Sequence, residues 1–102
     1  MTIRRNPNRQ PTHPGELLRD EVLPALRVSI SEAARELGVA RQTLHRILAE
    51  THPITPDMAV RLGKFCGNGA QLWLTMQADY DLWEATKRLA REVAKIPTRT
   101  AA

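Results

Sequence analysis

Residues 29–48 read SISEAARELGVARQTLHRIL, and the punctuation of this stretch decides the fold. Ser29 and Glu32 have the spacing of a capping box, in which the serine side chain accepts a backbone N–H at a helix start. Ala33, Ala34 and Leu37 then fall on one side at helical spacing. Gly38 follows where a helix end calls for the left-handed conformation. After Val39 and Ala40 a second helix begins near Arg41 and buries Leu44, Ile47 and Leu48. Two short helices joined across a glycine-containing turn form a helix-turn-helix, whose second helix can enter the major groove of DNA. Ala34 supplies the small side chain that close helix approach demands, and Leu44 and Ile47 anchor the second helix. Arg41, Gln42, His45 and Arg46 are left off the buried side. Arginine can bond guanine through two acceptors in the major groove, and glutamine can do the same for adenine. Thr43, at the helix start, is in reach of a phosphate, and the backbone N–H groups there also favour an anion. Singly, each of these side chains reads equally well as solvated surface. Their grouping after this turn is what points to DNA.

The flanking residues supply three more helices and no strand, since no stretch alternates apolar and polar residues for long enough. Pro14 suits a first helical turn and Glu16 complements its dipole, with Leu17, Leu18 and Val22 on one side. Pro24 is expected to end or kink that helix. Thr55, Pro56 and Asp57 give cap, first-turn proline and first-turn acid for a fourth helix, which turns Met58, Ala59, Leu62 and Phe65 inward and stops at Gly67. Asn68 is the expected cap of a fifth helix running from about Gly69 to Ile96, closed by Pro97. The fold class is therefore all-α, a five-helix bundle containing a helix-turn-helix. The expected organisation is a flexible basic arm over 1–12, a helical domain over 13–96 and a tail over 97–102. The arm reads as a solvated tail, or as a segment that touches phosphates or a partner.

The chain has 102 residues, enough for one domain with a modest core. Its net charge of +4, mostly from arginine, favours a polyanionic partner without requiring one. The single cysteine, Cys66, cannot form an internal disulfide and reads as a small apolar residue. No apolar run approaches the roughly 20 residues of a membrane span, and the N-terminus lacks a signal-peptide core, so a cytoplasmic protein is expected. His13, His45, His52 and Cys66 lack metal-ligand spacing, and no phosphate-binding or nucleophile motif is present. Glu16, Asp20 and Glu21 fit an exposed helix side. No catalytic residue, metal or cofactor is expected.

Beyond the helix-turn-helix, which resembles that of phage-repressor-like (lambda-repressor-like) regulators, three segments carry a more specific resemblance. HPGELLRDEVLPAL (13–26), ITPDMAVRLGKF (54–65) and QLWLTMQADYDLWEA (71–85) are similar to the HigA family of antitoxins. HPGE and the pattern W-L-x-x-Q-x-x-Y-D-L are the distinctive parts. The resemblance implies a five-helix regulator that dimerises on double-stranded operator DNA, represses its own operon and binds a HigB-type toxin, an mRNA-cleaving ribonuclease. It also implies that Arg41, Gln42 and Arg46 sit at base-reading positions and Thr43 at a phosphate position. One departure stands out: where the family often has N-G-K after the recognition helix, this chain has Ala49, Glu50 and Thr51. The usual glycine stop is absent, an amide contact to phosphate is put in question, and Glu50 brings a charge that repels the DNA backbone, with Thr51 and His52 available to compensate.

On an ideal helix the fifth segment carries two apolar stripes on roughly opposite sides. One holds Leu72, Trp73, Met76, Tyr80 and Trp83; the other holds Leu74, Ala78, Leu82, Ala85, Leu89, Val93 and Ile96. Two stripes imply two packing layers, and a second copy of the chain is the economical source of the outer one. Trp73, Met76, Tyr80 and Trp83 are the expected homodimer contact. A helix broken near Asp81, or a chain folded back over both sides, would also account for the pattern. Lys87, Arg88, Arg91, Lys95 and Arg99 read as a solvated face. Two other readings remain beside the antitoxin: an orphan regulator of the same fold without a toxin, and a protein-interaction module that has lost DNA reading.

Overall fold

The computed structural model describes residues 9–101. Arg4 and Arg5 of the expected arm lie outside them. Among the described residues there are six helices and no strand. Helix α1 spans 14–26 and is built from an α-turn Pro14–Leu17, a π-segment Leu18–Val22 and an α-turn Leu23–Leu26. Helices α2 (Ile30–Leu37), α3 (Arg41–Leu48), α4 (Pro56–Cys66), α5 (Ala70–Arg88) and α6 (Ala90–Ala94) follow.

The HPGE motif is an entry device for α1. The His13 ring caps the helix, its Nδ1 accepting the Gly15 N–H at 2.9 Å. Pro14 occupies the first turn, where no N–H is needed. Gly15 is a site of backbone contact: a Cβ there would lie 1.9 Å from the Ile47 carbonyl oxygen, so only glycine lets α1 lie directly on α3. Pro24 neither stops the helix nor breaks it. Just before it the hydrogen bonding widens, with the Leu23 N–H donating to the Leu18 carbonyl five residues back. A π-segment is a local way to carry a proline that can neither donate nor tolerate a regular i−4 carbonyl. The helix ends after Leu26, where Arg27 is left-handed at φ 55°.

Helices α2 and α4 start as their sequences predict. The Ser29 hydroxyl oxygen accepts the Glu32 N–H at 3.1 Å and donates to the Glu32 carboxylate at 3.1 Å. Thr55 accepts the Met58 N–H at 3.2 Å. Asn68 does not cap α5. Its carbonyl accepts the Trp73 indole N–H at 3.0 Å, and Gly69 takes the cap position with no side-chain bond. Gly63 allows α4 to meet the start of α5, since a Cβ there would fall 2.4 Å from the Ala70 nitrogen.

The core gathers Leu18, Leu23, Ala33, Ala34, Leu37, Leu44, Ile47, Leu48, Met58, Ala59, Leu62 and Trp73 from the first five helices, with Ile54 from the segment before α4. Trp73 is completely buried in it. For Trp73 this corrects the expected dimer contact. The stripe with Trp73, Met76, Tyr80 and Trp83 is the inward one: Trp73 fills the chain's own core, Met76 and Trp83 are half-buried, and the Tyr80 ring meets the His13 ring edge-on at 4.8 Å. On the opposite stripe Leu74 packs against the core, but the distal part is bare, with Leu82 67% and Ile96 66% exposed and Leu89 and Val93 also open. The terminal helix is also not continuous. It breaks at Leu89 (φ −98°, ψ 10°), eight residues beyond Asp81, and α6 ends at Ala94. Every described residue from 86 onward is exposed.

The N-terminal boundary shifts as well. Pro11 is buried, and the Gln10 amide donates to the Glu84 carboxylate at 2.5 Å, so packing starts before residue 13.

Candidate nucleic-acid interface

Helix α3 is held from beneath and bare on top. Leu44 and Ile47 are fully buried and Leu48 nearly so. Arg41, Gln42, His45 and Arg46 are exposed, and Thr43 is half-buried at the first turn. Among the described residues none of these five side chains has an intrachain hydrogen bond or ion pair, and the polar groups of the four exposed ones face water. One eight-residue helix thus presents two guanidiniums, a carboxamide and an imidazole together, next to an N-terminus where Ala40 offers no side-chain cap. Unsatisfied N–H groups and a positive dipole end lie at the same edge as Arg41 and Thr43.

The turn before α3 is a hydrogen-bonded stop. Gly38 is left-handed at φ 74°, its N–H donates to the Arg35 carbonyl at 3.2 Å, and the Val39 N–H donates to the Ala34 carbonyl at 3.0 Å. These are the paired bonds of a Schellman motif. The far end of α3 repeats them. The Glu50 N–H donates to Ile47 at 3.0 Å and the Thr51 N–H to Arg46 at 3.0 Å, with the Thr51 hydroxyl adding a bond to the same Arg46 carbonyl at 3.2 Å. Glu50 itself is left-handed, at φ 63°. The glycine-type stop therefore survives without glycine, although a side chain in this conformation costs about 1–2 kcal/mol.

Arg19 of α1 supports that strained residue. Its guanidinium donates to the Leu48 carbonyl at 2.9 Å and to the Glu50 carboxylate at 3.1 Å, and it clasps Asp20 through two bonds of 2.8 and 3.0 Å. The pairing with Asp20, then Glu50, holds the arginine proton more firmly, and Arg19 in turn draws the Asp20 carboxyl below its ordinary range. The Glu50 charge is thus paired within the chain rather than left free.

The two distinctive sequence motifs meet behind this face. Gln77 is buried; its carbonyl accepts the Ile54 N–H at 2.8 Å and its amide donates to Asp81 at 2.9 Å. It thereby ties the segment after α3 to α5. Tyr80 packs on His13, whose burial lowers its pKa below the ordinary 6.5 against the opposing pull of Glu50, Asp81 and Glu16. Every named position of W-L-x-x-Q-x-x-Y-D-L from Trp73 to Asp81 except Leu74 therefore has a bonding or ring partner, and Leu74 packs against the core. Sequence reasoning missed Arg19, Arg61 and Gln77 as supports of the reading helix. Their partners lie 29, 24 and 23 residues away in the chain, beyond any local pattern.

No protein-family model matches the chain. It is 41% identical over 83 residues to virulence-associated protein I of Dichelobacter nodosus, covering 80% of this chain and 77% of that protein. It is 30% identical over 88 residues to antitoxin HigA-1 of Vibrio cholerae, covering 86% and 83%. Among solved structures it superposes on the Pseudomonas aeruginosa antitoxin HigA with the higBA promoter at a TM-score of 0.84, with 36% identity, covering 89% of this chain and all of that one. In sequence and in fold, the chain belongs to the HigA family of helix-turn-helix antitoxins.

Proposed function

We propose that this chain is a sequence-specific DNA-binding antitoxin that represses its own operon as a homodimer and neutralises a HigB-type ribonuclease toxin. The observation that carries the DNA reading is the outward, unpartnered set Arg41, Gln42, His45 and Arg46 on a helix whose other side is locked by Leu44 and Ile47. Arg41, Gln42 and Arg46 read base edges, and His45 lines the same surface. Thr43 and the first amides of α3 take a phosphate. The Pseudomonas aeruginosa antitoxin HigA, solved with the higBA promoter, supports DNA as the partner.

Pairing of two copies through Leu82, Leu89, Val93 and Ile96 follows from their exposure, since one stripe on the same helices already serves the core. A two-fold pair would set two recognition helices about 34 Å apart, one turn of DNA. Mobility-shift titration on the chain's own upstream region tests the reading. Replacing Arg41 and Gln42 by alanine should weaken binding by about tenfold or more per lost bidentate contact while the fold persists. Unchanged binding would refute the assigned roles. Co-expression with the product of the adjacent gene tests the toxin: a stable complex that relieves growth arrest is expected, and none forms if the chain is a regulator alone.

A further inference from the structure

Arg61, on α4, touches none of the residues assigned to DNA, yet it holds the turn that aims them. Its Nη1 donates to the Leu37 carbonyl at 2.8 Å. That carbonyl lies at the end of α2, where the Schellman bonds have already used Ala34 and Arg35. The C-terminal end of a helix carries partial negative charge, so a guanidinium there makes a charge-assisted bond. The next residue is Gly38, and a Cβ at that position would lie 2.8 Å from the same Nη1. The arginine therefore lies directly over the left-handed turn. Helix α4 packs on α2. Arg61 is its hydrogen-bonded hold on the turn that leads, three residues on, into α3.

We propose that Arg61 is a positioning residue for operator recognition: it fixes the α2–α3 turn and so sets the angle at which α3 meets DNA. This rests on the DNA-binding reading above. A positioning residue alters discrimination, because base contacts require α3 at one angle whereas phosphate attraction tolerates several. A residue that binds phosphate alters all sequences equally and lowers the salt dependence by about one unit of slope.

The experiment compares wild type, Arg61→Met and Arg61→Lys, the methionine preserving the apolar stem and the lysine preserving a charged donor. Affinity is measured on the chain's upstream duplex and on a scrambled duplex over a range of salt. Arg61→Met should lose about tenfold in preference for the upstream duplex, with scrambled-duplex affinity and salt slope unchanged, and Arg61→Lys should recover part of it. Amide exchange in the free proteins provides the second measurement. Arg61→Met should speed exchange of the Gly38 and Val39 amides about tenfold while leaving Trp73 and Gln77 at the wild-type rate. Equal losses on both duplexes with a shallower salt slope would make Arg61 a phosphate ligand and overturn the proposal. Unchanged exchange at Gly38 and Val39 would overturn it as well. A wild-type chain that shows no preference for its upstream duplex refutes the DNA-binding reading instead, and the exchange comparison still decides whether Arg61 holds the turn.

Discussion

Replacing Gly15 by alanine sets two effects of opposite sign against each other. Gly15 lies in the first turn of α1, and in a helix alanine is favoured over glycine by up to about 1 kcal/mol. Opposing this, the new Cβ would sit 1.9 Å from the Ile47 oxygen and 2.9 Å from its carbonyl carbon. The obstacle is backbone inside a packed helix, so no rotamer change can relieve it, and α1 and α3 must part by about an ångström. Overpacking of this kind costs about 1–3 kcal/mol, and a rigid obstacle places it at the upper end. The balance is a loss of about 2 kcal/mol. At about 4–8 °C per kcal/mol for a domain of this size, Tm should fall by about 10 °C. Because Ile47 lies on the recognition helix, affinity for the upstream duplex should also fall at temperatures where the variant is fully folded. Gly67→Ala is the control: its φ is +74° with nothing within 4 Å, so it suffers conformational strain alone and leaves DNA binding intact. Thermal melts followed by circular dichroism, with mobility-shift titrations alongside, decide the matter. A Gly15→Ala protein as stable as wild type would show that α1 does not rest on the α3 backbone.

Other substitutions probe separate links. Glu50→Gly removes left-handed strain and also an exposed ion pair worth at most about 1 kcal/mol, so stability should hold or rise slightly, while affinity for DNA at low salt rises with the loss of a negative charge; titration across salt concentrations reads this out. Gln77→Ala leaves the buried Ile54 N–H without its acceptor and should cost about 1–3 kcal/mol in urea unfolding, and Gln77→Leu should not restore it. Leu82→Glu combined with Val93→Glu should give a folded monomer by light scattering, whereas Trp73→Ala should damage the fold itself, by about 3–5 kcal/mol. For pH, the lowered pKa of buried His13 means that the unfolded chain binds the proton more readily than the native one. Stability is then complete above the ordinary value of 6.5 and declines as pH falls below it, as protonation also removes the Nδ1 acceptor of the Gly15 N–H. Melting temperature plotted from pH 7.5 to 5 should slope less in His13→Gln than in wild type.

What the sequence alone determined here is local. Ser29, Gly38 and Thr55 mark helix ends because their side chains or backbone freedom act within three or four residues of themselves. The periodicity of Leu44, Ile47 and Leu48 left Arg41, Gln42, His45 and Arg46 on the outside for the same reason: both follow from 3.6 residues per turn. The helix-turn-helix and its exposed polar face were therefore legible without coordinates. Contacts between distant residues were not. Two apolar stripes on the last helix are equivalent by periodicity, and only the positions of His13, Ile54 and the α4 core show that Trp73 and Tyr80 turn inward while Leu82, Leu89, Val93 and Ile96 stay bare. The left-handed Glu50 looked like a missing stop because its support, Arg19, lies 31 residues away. Local bonding repeats with sequence and can be read from it, whereas the choice between equivalent faces and the bonding of remote side chains are made only when the helices pack.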